Sequence, residues 1–249
     1  MTFELVLLRH GQSEWNLENR FTGWVDVGLS PRGVEEARSA GIALKQENYQ
    51  FDLALTSVLR RSIDTLSEVL QQLGQTDIPV QRDWHLNERH YGALQGLNKA
   101  EMVQMHGPEQ VHRWRRGYSI RPPELAQPQW NELKADPKYA HLDAVPATES
   151  LADTYTRVVR YWNNSVMHQI LSGKRILIVA HGNSLRALVK YLDNISDEEI
   201  TTLNIPTGIA LVYHLDPDLF PIRHFYLADD ATLEKFITEV RNQTQTSNP

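Results

Sequence analysis

Cysteine is absent from the 249 residues, which excludes disulfide scaffolds, thiol nucleophiles, zinc–thiolate sites and iron–sulfur clusters, and permits a reducing compartment. Long apolar runs are missing too. The longest are FELVLL, interrupted by its glutamate, ILIVA and IALVY, all far shorter than a bilayer-crossing helix needs. The N-terminus, MTFELVLLRHG, carries Glu4 and no basic segment before its short apolar run, so it reads as a buried strand rather than a secretory signal. A cytoplasmic protein with no membrane partner is expected. An excess of positive charge is also lacking: 25 Lys+Arg against 31 Asp+Glu give 25 − 31 = −6. That balance argues against nucleic acid as the main partner, so any anion site must be local. No HExxH, close His-x-His, EF-hand loop, Walker A loop, GxGxxG or GxSxG occurs. Zinc hydrolysis, nucleotide phosphate transfer, hydride transfer and the serine-elbow mechanism all lose support, and no metal site is expected.

The chain does contain the makings of an ordinary packed core, with 41% hydrophobic and 22% charged residues. At this length roughly 70 to 75% of the unfolded surface leaves water on folding, so no metal or disulfide is needed for stability. Short apolar runs alternate with segments of helical period, the pattern of an α/β fold: a mostly parallel central sheet with helices on both faces. Strands are expected at 5–8, 52–56, 78–81, 175–180, 209–215 and 221–227. Helices are expected at 31–46, capped by Ser30 and Pro31, at 57–73 closed by Gly74, at 149–171, from 182 to about 192, at 196–203 and at 229–241. Between Trp84 and Pro146 the pattern breaks into an irregular, base-rich excursion, and residues 242–249 have nothing to bury and are expected to be a mobile tail. No linker or repeat divides 1–249, which reads as one domain.

Two stretches look alike. LVLLRHGQS and ILIVAHGNS are apolar strands that run into His-Gly and then polar residues. Ligands of an open α/β sheet bind at the carboxyl ends of its strands, where helix N-termini point free N–H groups into the opening. One histidine so placed would be unremarkable packing; the pair, His10 and His181, points to a shared crevice. Arg9 lies beside the first. Arg60 and Arg61 follow Thr56-Ser57 at another strand end, and because helical neighbours point about 100° apart, only one readily faces the crevice; Arg61 is the candidate. The excursion adds an acid, Glu88, a phenol, Tyr91, and the cations Arg89, Lys99, Arg115 and Arg116, concentrated in a protein of negative total charge. A charge run is usually a wet face, but here a lid supplying cations and excluding water is the economical reading. Histidine acting on phosphate without metal is the chemistry left. An imidazole with its ordinary pKa near 6.5 is mostly neutral at pH 7, and adjacent arginines push it further that way.

RHGQSEWN (9–16), FTGW (21–24), LSPRG (29–33), TSVLRRSIDT (56–65), LNERHYGALQGLNK (86–99), WRRGY (114–118), ESL (149–151), AHGNSLR (180–186) and NIPTG (204–208) closely resemble the cofactor-dependent phosphoglycerate mutases of the histidine phosphatase superfamily. The likeness weakens over 119–146 and after Asp230. It implies that His10 becomes phosphorylated, that Glu88 donates and accepts the proton and that His181 stabilises the transferring phosphoryl group. It also implies that Arg9, Asn16, Arg61, Gly182 and Asn183 hold the phosphate, with Thr22, Gly23, Arg89, Tyr91, Lys99, Arg115 and Arg116 on the glycerate and its second anionic group. Gln12 stands where glutamate is commonest. Ser13 and Gly23 have the identities of the mutase branch rather than of the branch making bisphosphoglycerate. The implied primer is 2,3-bisphosphoglycerate, the partners small phosphoglycerates, and the assembly a homodimer. A phosphatase of the same superfamily, with water as acceptor, and a non-catalytic phosphate-binding module are the competing readings. Lys99 with Arg115 and Arg116 offers more cations than one phosphate uses, and both histidines and Glu88 are present.

Overall fold

A computed structural model of the protein describes residues 2–242. Six strands, β1 (Phe3–Arg9), β2 (Leu53–Thr56), β3 (Val80–Arg82), β4 (Ile176–Ala180), β5 (Ala210–Leu215) and β6 (Pro221–Tyr226), form one sheet in the order β3-β2-β4-β1-β5-β6. The first four of that order are parallel neighbours, while β5 is antiparallel to both β1 and β6. The expected α/β architecture with a mostly parallel sheet is what the protein adopts. Because side chains alternate across a strand, an apolar run buried on both sides feeds two cores. In β1, Leu5 and Leu7 join one cluster, and Val6 and Leu8 the other.

The first cluster is closed by α7 (Leu151–Tyr161), α8 (Met167–Leu171) and α9 (Gly182–Leu192), through Leu151, Val158, Ile170, Leu185 and Leu188. The second is closed by α2 (Pro31–Gln46) and α3 (Arg60–Leu73), through Ala40, Leu44, Leu66 and Val69. Local signals set the ends of these helices. The Ser30 hydroxyl accepts the N–H of Gly33 ahead of Pro31, Gly74 ends α3 in the left-handed region at φ 71°, and Ser150 and Asp153 cap α7 reciprocally. The last helix, α10 (Asp230–Asn242), meets α2 at Arg32, which pairs with Glu239 and lies 5.4 Å from the Phe236 ring centroid.

Several boundaries differ from the sequence reading. The helix expected from 57 starts at Arg60, because Ser57 to Leu59 turn the chain at the end of β2. The helix expected from 149 starts at Leu151 and runs through a π-helical stretch (Trp162–Val166) before α8. Residues 196–203 make only a single 3-10 turn, Glu199–Thr201. The excursion is not irregular: it holds α4 (Lys99–His106), α5 (Pro108–Arg116) and α6 (Gln127–Ala135). Its apolar positions looked too sparse for a core because each of its two small cores is completed by an aromatic side chain from outside the excursion. Phe21 packs with Leu94, Met102, Val111 and Trp114, and Trp24 with Tyr139 and Val145. A four-residue helix, α1 (Glu14–Leu17), was also missed. The tail expectation for 242–249 falls outside the described residues except at Asn242, which ends α10. Among the described residues no helix is long and apolar enough to cross a membrane.

Candidate active site

Register brings the site together. Arg9 pairs with Ala180 across β1 and β4, and Thr56 with Val179 across β2 and β4, so His10, Ser57 and His181 leave three adjacent parallel strands at the same end. The two imidazoles meet edge to face with ring centroids 4.9 Å apart, and both are essentially buried, at 2% and 0% exposure. The His10 loop is held against the start of α2 by backbone contact. A Cβ on Gly11 would lie 2.1 Å from the Gly33 carbonyl oxygen, and one on Gly33 2.0 Å from that of Gln12, so only glycines fit there. The Gly11 N–H is bonded to the Thr65 hydroxyl at 3.1 Å.

His10 Nδ1 lies 2.7 Å from the Gly11 carbonyl oxygen, which can only accept, so the ring proton sits on Nδ1 and the lone pair on Nε2. Burial first, then Arg61 and Arg9, pull this imidazole well below its usual range. His181 is lowered well below that range for the same reasons, burial foremost, then Arg61 and His10. The free site therefore presents two neutral rings; an imidazolium at 181 is not its resting state. His181 Nε2 is 2.7 Å from the Ser57 hydroxyl, and its buried Nδ1 has no hydrogen-bond partner among the described residues.

A cleft next to Arg9 and Gly182 is lined by these two and by Asn16, Arg20, Thr22, Gly23, Glu88, Tyr91, Lys99, Arg115, Arg116, Asn183 and Arg186, with Phe21, Ile205 and Val240. Eleven of the sixteen residues singled out from sequence are in that lining. His10 and His181 are not in that lining, but their chain neighbours Arg9 and Gly182 are. The other three are Arg61, Ser13 and Arg89. Arg61 is buried under the site, donating to the carbonyls of Val25 and Gly23 at 3.0 and 2.8 Å, while Arg60 points outward, its side chain 68% exposed. Ser13 caps α1 and exchanges hydrogen bonds with Asn16, so it holds a lining residue rather than being one. Arg89 is fully buried, bonded to the Arg115 carbonyl at 2.9 Å and lying 4.5 Å from the Tyr91 ring centroid. Gly23 adopts φ 57°, with the Gln95 amide where a Cβ would be.

Glu88 is the acid in this lining. Its Oε1 accepts the N–H of Arg89 at 2.8 Å, the N–H of Asn183 at 3.1 Å and the Asn183 amide at 2.8 Å, and Oε2 takes no hydrogen bond from the described residues. Its carbonyl is pinned by Trp24 Nε1 at 2.6 Å and Arg157 Nη2 at 3.0 Å. Arg157 in turn forms a buried two-pronged pair with Glu149, at 2.7 and 3.0 Å, and Glu149 accepts the N–H of His90 at 2.8 Å. Sequence reading missed Arg157, Trp24, Ser57 and Arg186. Arg186 lay within the quoted AHGNSLR block, one helical turn after Asn183, whose side-chain oxygen it donates to at 2.8 Å; that spacing was the available signal. Burial, ahead of repulsion by Arg89, pushes Arg186 down to about 10, which leaves it charged at neutral pH. Lys99 is lowered well below its usual range by burial, then by Arg115, Arg9 and Arg116. Arrival of an anion relieves that crowding.

Buried neutral imidazoles carry a stability signature. His10, His181 and His90 all titrate below their usual range, burial being the main cause, with His90 down to about 3. Between those values and about 6.5 the unfolded chain binds more protons, so stability rises with pH there and is lost as pH falls below 6.5. Urea unfolding between pH 7 and 5.5 is expected to show a slope steepening toward about 1.4 kcal/mol per pH unit for each such histidine. A flat profile over that range contradicts neutral burial.

Fold and site together describe an α/β protein that can hold an anionic group against two neutral imidazoles. Residues 5–226 match the histidine phosphatase superfamily (branch 1), and the chain belongs to that superfamily. Among solved structures it is similar to a phosphoglycerate mutase from Bacillus anthracis (20% identity, 98% of this chain and 97% of that one, TM-score 0.66). A mycobacterial glucosyl-3-phosphoglycerate phosphatase complexed with VO3 is similar at 24% identity (90% and 97%, TM-score 0.67). A further similar fold is that of a putative alpha-ribazole-5'-P phosphatase from Escherichia coli (22% identity, 90% and 94%, TM-score 0.64).

Proposed function

We propose that the protein is a 2,3-bisphosphoglycerate-dependent phosphoglycerate mutase, interconverting 3-phosphoglycerate and 2-phosphoglycerate through a phosphohistidine. The observation that carries this reading is the charge of the cleft: Arg9, Arg20, Lys99, Arg115, Arg116 and Arg186 line it, with Glu88 the one acid among the described residues. A single phosphate against the histidines needs Arg9, Arg61 and the α9 N-terminus, which is anion site enough. The group around Lys99, Arg115, Arg116 and Arg186 is a second place for negative charge, suited to a phospho-carboxylate or bisphosphate. The mutase neighbour, which spans nearly the whole chain, agrees with the reading at the level of the fold.

His10 Nε2 is the nucleophile, attacking phosphorus in line while the P–O bond to the glycerate oxygen breaks. Glu88 passes the proton to that oxygen, and takes it from the acceptor hydroxyl on return. His181, Arg9 and Arg61 stabilise the transferring group, Asn16, Gly182 and Asn183 orient it, and Thr22, Gly23, Arg89, Tyr91, Lys99, Arg115 and Arg116 hold the remainder of the substrate. 2,3-Bisphosphoglycerate primes His10, and no metal takes part.

The test is incubation with labelled 2,3-bisphosphoglycerate in the presence of a chelator, followed by mapping of the label and parallel measurement of isomerisation and inorganic phosphate release. Acid-labile, alkali-stable label on His10, with isomerisation faster than release, is expected. Release without isomerisation makes the protein a phosphatase of the same superfamily, and absence of label makes the pocket a binding module.

A further inference from the structure

We infer that Ser57 is a positioning residue for His181: its hydroxyl, backed by Ser62, fixes the proton of that ring on Nδ1, which then donates to the transferring phosphoryl group. The inference rests on the reading of the site as a phosphoryl-transfer centre, and it concerns residues outside the cleft lining.

Three observations carry it. First, Ser57, Ser62 and His181 are all within 1% of complete burial, so water does not compete for their hydrogen bonds. Second, His181 Nε2 lies 2.7 Å from Ser57 Oγ, and Ser57 Oγ lies 2.6 Å from Ser62 Oγ, giving an unbroken hydroxyl chain to one ring nitrogen. Third, the other ring nitrogen, Nδ1, is buried without a partner among the described residues, in a ring packed edge to face on His10. A buried polar atom left without a partner in an otherwise satisfied network marks the place a ligand completes.

Proton direction depends on which way the two hydroxyls turn. The Ser62 hydroxyl can donate to the Leu59 carbonyl, 2.9 Å away, or to Ser57 Oγ, and because that carbonyl also accepts the N–H of Ser62 at 3.1 Å and of Ile63 at 3.3 Å it stays satisfied when the hydroxyl turns to Ser57. Ser57 Oγ already accepts the N–H of Leu59 at 3.0 Å, which orients it. When the Ser62 proton turns to Ser57, Ser57 donates to Nε2 and the neutral ring carries its proton on Nδ1. The opposite arrangement turns both hydroxyls round, with Ser62 donating to Leu59 and Nε2–H donating to Ser57. It leaves a bare lone pair on Nδ1 facing an incoming anion, which repels it. An anion in the site therefore selects the first arrangement, and a neutral ring serves as a donor without becoming a cation beside Arg9 and Arg61.

The experiment is 15N NMR of the full chain with labelled histidine, alone and with orthovanadate, together with rapid-mixing measurement of label transfer from 2,3-bisphosphoglycerate to His10. In the wild type, the vanadate-bound His181 is expected to carry its proton on Nδ1. Ser57→Ala is expected to leave the ring a mixture of the two tautomers and slow transfer by on the order of 10²-fold, the loss typical of one preorganised donor, with the KM for the bisphosphate within about twofold. Ser57→Cys, which keeps size and a weak S–H donor, is expected to fall between. A vanadate-bound wild type with the proton on Nε2, or Ser57→Ala with tautomer or transfer rate unchanged, overturns the inference. If Ser57→Ala does not fold, the wild-type tautomer decides. If the wild type takes no label from the bisphosphate, the reading of the substrate fails, whereas the tautomer in the vanadate complex still tests the relay alone.

Discussion

Replacement of His10 by alanine is expected to abolish phosphoenzyme formation, with turnover falling by about four orders of magnitude or more, because no other group can accept the phosphoryl at that point. The neighbours make the prediction sharp. The Gly11 carbonyl holds the Nδ1 proton, leaving Nε2 as the lone pair, and the ring is kept neutral by burial, then by Arg61 and Arg9. Removing it leaves these guanidinium groups and His181 in place, so anions should still bind. Equilibrium binding of 2,3-bisphosphoglycerate to His10→Ala within a few-fold of wild type, with no acid-labile label, is the expected pair of results. His181→Ala should differ in kind, retaining label on His10 at a rate lower by on the order of 10² to 10³. Label persisting in His10→Ala, or shifting to His181, would remove His10 as the nucleophile. The pH dependence follows in sign: since Nε2 is already free of its proton at neutral pH, acidification from pH 7.5 to 6.5 should not slow label transfer through His10 itself.

What could be read in the sequence was what is local. The apolar runs of β1 and β4 end in His-Gly, and parallel pairing carries both to one edge of the sheet, so His10 and His181 are visible as a pair in the sequence alone. Arg61 was separable from Arg60 by helical geometry alone, and the structure buries the first and exposes the second. The excursion was misread for an equally physical reason. Its helices α4 and α5 close over Phe21, supplied by the segment between α1 and α2, and no short window of sequence contains both sides of that contact. Arg157 was hidden differently. On α7 it lies eight residues from Glu149, and its other partners are the carbonyls of His85 and Glu88, some seventy residues away. A cation on an amphipathic helix reads as solvated unless those partners are known. Ser57 and Ser62 look like ordinary turn and helix-start residues, and only the crossing from β2 to β4 shows them against His181.

Arg157→Ala is expected to be the most destabilising single substitution near the site. The arginine is 6% exposed and Glu149 is 4% exposed, and the pair is joined by two hydrogen bonds. Truncating one partner leaves a buried carboxylate without its counter-ion, which typically costs about 3 to 5 kcal/mol. For a chain of this size that corresponds to a fall in Tm on the order of 10 °C. The same guanidinium holds the carbonyls of His85 at 2.6 Å and Glu88 at 3.0 Å, so its loss also frees the segment that presents the Glu88 carboxylate. The kinetic effect should therefore fall on kcat more than on KM, because Glu88 is asked to move a proton while the cations on α4, α5 and α9 hold the substrate. The double variant Glu149→Gln with Arg157→Met separates the two consequences. It removes both charges and should recover much of the lost stability, as neutral replacements of buried ion pairs commonly do. It cannot restore the clamp on Glu88, so kcat should remain low. Thermal unfolding and steady-state kinetics on the three proteins decide the matter: a stable Arg157→Ala, or a double variant that recovers activity along with stability, would show that the buried pair supports the fold without aiming the acid.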